Sequence, residues 1–168
     1  METIKDAFQN WRYGEAQTVT FILTKDCQLA CKYCYLVGKN SNEVMSFETA
    51  KKAVDYVLNS PIYSTKDHII WDFIGGEPFL EIDLLDEICD YIKLKLFEMN
   101  HKWFNSYRFS ITTNGINYHS PKVQSFIAKN IEHLSVGITI DGTSKKHDIN
   151  RVYKNSNRPT NCAYSQKP

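Results

Sequence analysis

The sequence predicts an α/β fold, a parallel sheet forming one wall of a (β/α) barrel. Three observations predict it. Four apolar or β-branched stretches alternate with three stretches of helical period, which implies parallel strands joined by right-handed crossovers. The last two strands are apolar on one side and polar on the other, whereas a parallel strand covered on both faces is apolar throughout. Each strand also runs into a motif of Cys, Gly, Asn or Asp, at the ends where such folds place their ligands.

Residues 18–24 (TVTFILT) read as the first strand, with a cysteine-rich loop directly after it. Ser46 is a helix cap, and Ala50, Ala53, Val54, Val57 and Leu58 follow at helical spacing until Asn59, Ser60 and Pro61 end the run. Residues 68–74 (HIIWDFI) form the second strand, closed by Gly75-Gly76-Glu77-Pro78. A longer helix spans 81–99, with Leu85, Ile88, Cys89, Ile92 and Leu96 on one face. The third strand, 107–113, ends in Asn114-Gly115, and Ser120-Pro121 opens a short helix with Val123, Phe126 and Ile127 on its apolar side. The fourth strand, 133–140, ends in Asp141-Gly142. Leu134, Val136, Ile138 and Ile140 share its apolar face; Ser135, Gly137, Thr139 and Asp141 share the other.

Composition narrows the function. The chain has 168 residues and a net charge of +1, which gives no reason to expect nucleic acid or an anionic membrane as a partner. With 42% hydrophobic and 23% charged residues it is of ordinary globular make-up. A complete eight-stranded barrel needs ~250 residues, so this is not one. No segment reaches the ~20 apolar residues of a membrane span, and Met1–Gln17 has no apolar core like a secretory signal; a cytoplasmic location is expected. The expected organisation is an N-terminal extension (1–17), a core (18–155) and a polar, disordered tail (156–168).

Of five cysteines, Cys27, Cys31 and Cys34 lie within eight residues, which in a reducing compartment suggests metal or redox chemistry. Three thiolates on a short loop can hold three irons of a [4Fe–4S] cluster and leave one iron open. The same thiolates could hold zinc if a fourth ligand were found, and the spacing alone leaves both open. Cys89, on an apolar helix face, reads as core packing. Taken singly, Gly75-Gly76-Glu77-Pro78, Thr112-Thr113-Asn114-Gly115 and Asp141-Gly142 read as strand-end turns, although paired glycines also permit close backbone approach to a ligand. Lys145, Lys146, His147, Asp148 and Arg151 read as a solvated face.

In order, these motifs resemble the radical SAM superfamily. Cys27-x3-Cys31-x2-Cys34, with Tyr33 before the last cysteine, matches its cluster signature, and GGEP matches its methionine-binding motif. TTNG and TIDG are similar to the branch of sulfatase-maturing enzymes and SPASM-type peptide maturases. The resemblance implies a partial barrel of the radical SAM type, about four of six β/α units present. It implies a [4Fe–4S] cluster on Cys27, Cys31 and Cys34 whose open iron binds the amino and carboxylate groups of S-adenosylmethionine. Backbone groups of Gly75, Gly76 and Glu77 would accept the amino group, with the Glu77 side chain bracing the loop. Tyr33 would lie near the adenine, Thr139 would offer a hydroxyl, and Asn114 and Asp141 would line the pocket. Reductive cleavage to a 5′-deoxyadenosyl radical, and hydrogen abstraction from a peptide or protein, would follow, with flavodoxin or ferredoxin as electron donor. Competing classes are a non-catalytic metal-binding fragment and an activase that makes a glycyl radical on a partner enzyme.

The sequence departs from that family in two ways. Four strands stand where six are usual, and Cys162 is the single cysteine after residue 100, so no auxiliary-cluster region is seen. A truncated chain, from a frameshift or early stop, is the expectation. Sequencing beyond the stop should then reveal barrel or SPASM-like coding sequence in some frame; finding none would contradict it.

Overall fold

The computed structural model describes residues 16–156. The expected tail from 157 onward, Cys162, and residues 1–15 of the expected extension lie outside them. Four strands, β1 (Ala16–Ile22), β2 (His68–Ile74), β3 (Tyr107–Thr113) and β4 (Leu134–Ile138), form one parallel sheet in the order β1-β2-β3-β4. Helices α1 (Phe47–Asn59), α2 (Ile82–Glu98) and α3 (Pro121–Asn130) fill the crossovers, and a fourth helix, α4 (Ser144–Asn150), follows β4. The chain is thus mixed α/β, in keeping with a partial β/α barrel.

Local chemistry accounts for these elements. Ser46 caps α1 by accepting from the Thr49 amide, satisfying one of the unpaired donors of a helix start. Pro121 opens α3 at a position where no amide is needed. Phe21, Ile69, Trp71, Phe73, Phe109 and Ile111 point to the helical side, where they meet Val54, Leu85, Ile88, Ile92 and Phe126 in one core. Cys89 is fully buried there and behaves as a small hydrophobe. On the opposite face, register aligns Thr20 with Asp72, Asp72 with Ser110, and Ser110 with Ser135. This row explains the amphipathic strands: one face packs against helices, and the other is the polar inner wall.

Four expectations need correction. β1 begins at Ala16 and ends at Ile22, two residues earlier at both ends, because Thr24 turns away to bridge Val44. β4 ends at Ile138, and Ile140 is 48% exposed instead of covered. Residues 144–150 form a helix that apolar periodicity did not mark. The solvated face assigned to Lys145–Arg151 breaks down at His147 and Arg151, which are buried.

The helical layer also contains a pH-sensitive contact. The Tyr91 hydroxyl on α2 donates to Asp55 Oδ1 on α1 at 2.7 Å. Desolvation, the hydrogen bond to Asp55 and nearby negative charge push the phenol up to about 12. Between the ordinary tyrosine value near 10 and that figure, the folded state keeps a proton that the unfolded state releases, so stability falls as pH rises through the window. Urea unfolding of wild type and Tyr91→Phe should therefore converge across that window, the wild type losing its advantage as pH rises.

Candidate functional site

The site is built where the strands end. After β1, Thr24 is buried; its hydroxyl donates to the Glu43 carbonyl and accepts from the Asp26 amide. Asp26 Oδ1 in turn accepts from the Cys27 amide at 2.9 Å, which starts the cysteine loop. The Cys27 sulfur accepts from the Leu29 amide at 3.4 Å, and the Cys34 amide donates to the Cys31 carbonyl at 3.2 Å.

The turn after β2 lies against this loop. The Gly76 amide donates to the Thr24 carbonyl at 2.7 Å and the Glu77 amide to the Asp26 carbonyl at 2.9 Å. A Cβ on Gly75 would sit 2.5 Å from the Thr24 carbonyl oxygen, and one on Gly76 would overlap the Asp26 carbonyl. Only glycine allows backbones this close. The two glycines are therefore required by the cysteine loop itself, whatever else they admit.

Glu77 is fully buried and ties β2 to β3. Its Oε1 accepts from the Thr113 hydroxyl at 2.6 Å and the Phe79 amide at 3.1 Å; its Oε2 accepts from the Asn114 amide at 2.8 Å. Burial pushes this carboxyl up, and the three donors hold back part of the rise. Asn114 carries the link onward, donating from Nδ2 to Gln28 Oε1 at 3.1 Å and lying 3.6 Å from the Cys27 sulfur. The Thr139 amide, just past β4, donates to the Thr113 carbonyl at 3.0 Å. Tyr33 reaches Asp141 through its hydroxyl.

A cavity of about 130 Å³ results, lined by Cys27, Cys31, Cys34, Tyr33, Gly75, Gly76, Asn114 and Thr139 among others. The structure thus gathers the expected site residues around one space, with two exceptions: the Glu77 carboxylate lies behind the wall as a brace, and Asp141, expected to line the pocket, instead stands behind Tyr33 and Arg151, whose side chains it holds. Lys39 and Arg151 also line the cavity and were missed as site residues. So was the segment following α4, which pairs with the cysteine loop across a Leu29–Tyr153 bridge. Its one sequence signal was the His147-Asp148-x2-Arg151 pattern.

The three thiols line one cavity, which is the arrangement a cluster requires. Ligands of one tetrahedral metal sit about 3.8 Å apart, given metal–sulfur bonds near 2.3 Å. Among the described residues no three His, Cys, Asp or Glu side chains converge to hold such an ion. Each cysteine on a [4Fe–4S] cube binds its own iron, so its sulfurs need only surround a shared space. Burial pushes the Cys27 and Cys31 thiols up, partly offset by the charge of Lys39, so ligation there must displace protons.

Comparison with known proteins places the whole described core in one family. Residues 14–158 match the family model of the 4Fe-4S single cluster domain. The chain is 38% identical over 141 residues to an uncharacterized protein of Methanocaldococcus jannaschii, covering 82% of this chain and 43% of that one. It is 29% identical over 135 residues to the cysteine-type anaerobic sulfatase-maturating enzyme of Clostridium novyi, covering 79% and 34%. The solved structure of native anSMEcpe with bound AdoMet and Cp18Cys peptide superimposes with a TM-score of 0.64 at 24% identity, covering 86% of this chain and 36% of that one. The chain spans less than half the length of these relatives.

Gly76→Ala should force the turn off the cysteine loop at about 1–3 kcal/mol, the usual range for overpacking. Urea denaturation of the metal-free chain measures that loss; an unchanged midpoint would mean the two backbones are not in contact.

Proposed function

The chain belongs to the family of 4Fe-4S single cluster domains, of the radical SAM type, and from that premise we propose that it is the cofactor-binding core of an enzyme that modifies a peptide or protein. Its cofactors are a [4Fe–4S] cluster and S-adenosylmethionine. Cys27, Cys31 and Cys34 hold the cluster in this reading. When bound and reduced, the cluster supplies the electron that cleaves S-adenosylmethionine to methionine and a 5′-deoxyadenosyl radical able to take hydrogen from a substrate carbon.

The chain's own residues do the rest. Carbonyls of Gly75, Gly76 and Glu77 accept the amino group of the cofactor's methionine end; the amides of Gly76 and Glu77 are already used on the cysteine loop. Asn114 and Thr139 offer an amide and a hydroxyl to its polar atoms, and Tyr33 gives the adenine an aromatic neighbour. Holding cofactor and substrate in one geometry supplies proximity. A flavodoxin or ferredoxin donates the electron. The single observation carrying this reading is that three thiols, a Gly-Gly backbone and the ends of β3 and β4 share one cavity.

The test is turnover. The chain is reconstituted anaerobically with iron and sulfide, reduced with dithionite, and assayed for 5′-deoxyadenosine from S-adenosylmethionine by chromatography. Formation of 5′-deoxyadenosine supports the reading; a loaded cluster without cleavage would favour the non-catalytic metal-binding alternative.

Serine at Cys27, Cys31 or Cys34 should each abolish both the cluster's visible absorbance and deoxyadenosine formation. Cys89→Ala should keep both, while lowering stability by about 1–2 kcal/mol through a small cavity. Iron content and thermal unfolding check the two halves.

A further inference from the structure

We propose that Arg151 is a positioning residue of the cofactor site, which with Asp141 and Tyr33 forms a clasp that orders the Cys31–Cys34 turn before any cofactor arrives. The clasp's value to the cofactor rests on the function proposed above; its existence does not.

Tyr33 stands between two of the metal-binding cysteines, and its hydroxyl donates to the Asp141 carboxylate, 2.6 and 2.7 Å from the two oxygens. Arg151 Nε donates to Asp141 Oδ1 at 2.9 Å. The guanidinium also lies over the Tyr33 ring, 5.5 Å from its centroid. One arginine thus holds both the carboxylate and the ring that the carboxylate orients. The ion pair is not a surface one: the Arg151 and Asp141 side chains are 7% and 13% exposed. Removing one partner of such a pair leaves the other charge poorly compensated.

The same stretch of chain holds the rest of the loop. The Ala30 amide donates to the Val152 carbonyl at 2.7 Å, the Lys32 amide to the Asn150 carbonyl at 3.0 Å, and the Lys154 amide to the Gln28 carbonyl at 2.9 Å. Lys154 Nζ reaches Asp26 at the loop's start. Residues 150–154 therefore lie along the loop as a strap, and Arg151 is its anchor into the cavity wall. Ordering a loop that has no secondary structure of its own costs conformational entropy. A strap that meets that cost on folding leaves less to be met on binding, which is what preorganisation means. Lysine could supply the charge, but not a planar face on the ring together with a directed bond to the carboxylate.

Hydrogen exchange on the metal-free full chain reads the clasp directly. Arg151→Met should speed exchange of the Ala30 and Lys32 amides about tenfold, the scale of a lost charged hydrogen bond. The β2 and β3 amides of Ile69 and Phe109 should stay protected. Arg151→Lys should give intermediate exchange. After reconstitution, Arg151→Met should hold less iron and give a broader EPR spectrum when reduced, with partial recovery in Arg151→Lys. Unchanged exchange at Ala30 and Lys32 in a folded Arg151→Met chain would overturn the proposal. So would faster exchange with an unaltered iron content and EPR spectrum, since the loop would then need no positioning. Should Arg151→Met fail to fold, Tyr33→Phe decides: it leaves the ion pair in place, and unchanged exchange at Lys32 would equally overturn the clasp. A wild-type chain that takes up no cluster, yet shows the expected exchange differences, would count against the proposed function and leave the clasp standing.

Discussion

The site depends on one buried carboxylate. Glu77 is withdrawn from water, which is costly for a charged group unless donors replace the solvent. Thr113, Phe79 and Asn114 are those donors, and two of the three belong to the end of β3. Satisfying Glu77 therefore fixes the β2 turn against β3. Because that turn gives its amides to the Thr24 and Asp26 carbonyls, the cysteine loop is fixed with it. Thr113 passes the constraint to β4 by accepting from the Thr139 amide. Four strand ends become one wall through a short chain of hydrogen bonds centred on one side chain.

Much of this was legible in the sequence where it was local. The ranges of β2 and β3 emerged from alternating apolar residues, and the cap of α1 from Ser46. The three close-spaced cysteines and Gly75-Gly76-Glu77-Pro78 marked the site. What stayed hidden was long-range pairing. Arg151 looked like a surface charge because its neighbours Lys145, Lys146 and Asp148 are polar, and its partners Asp141 and Tyr33 lie 10 and 118 residues away in sequence. α4, seven residues with little apolar periodicity, is placed by the Thr143 cap and by burial of His147 rather than by an amphipathic stripe. The glycines were seen, but their packing against the Thr24 and Asp26 carbonyls was not, because that contact joins segments about 50 residues apart in sequence.

The two faces of the sheet divide the work. Aromatic and branched residues of β1, β2 and β3 hold the helices on one side. The row from Thr20 through Asp72 and Ser110 to Ser135 leaves the other side polar, below the cavity that holds the thiols. Stability and chemistry thus sit on opposite sides of the same strands, as alternation along each strand allows. The cavity then rests on a packed layer, which limits how far its walls can shift.

The most direct measurement is the EPR spectrum of the anaerobically reconstituted, reduced chain, with and without S-adenosylmethionine. A [4Fe–4S]⁺ signal that changes on adding S-adenosylmethionine is the predicted result, since the braced strand ends would leave one iron within reach of the cofactor. A cluster signal indifferent to S-adenosylmethionine, or no cluster signal, would contradict the claim that these strand ends by themselves make the cofactor site.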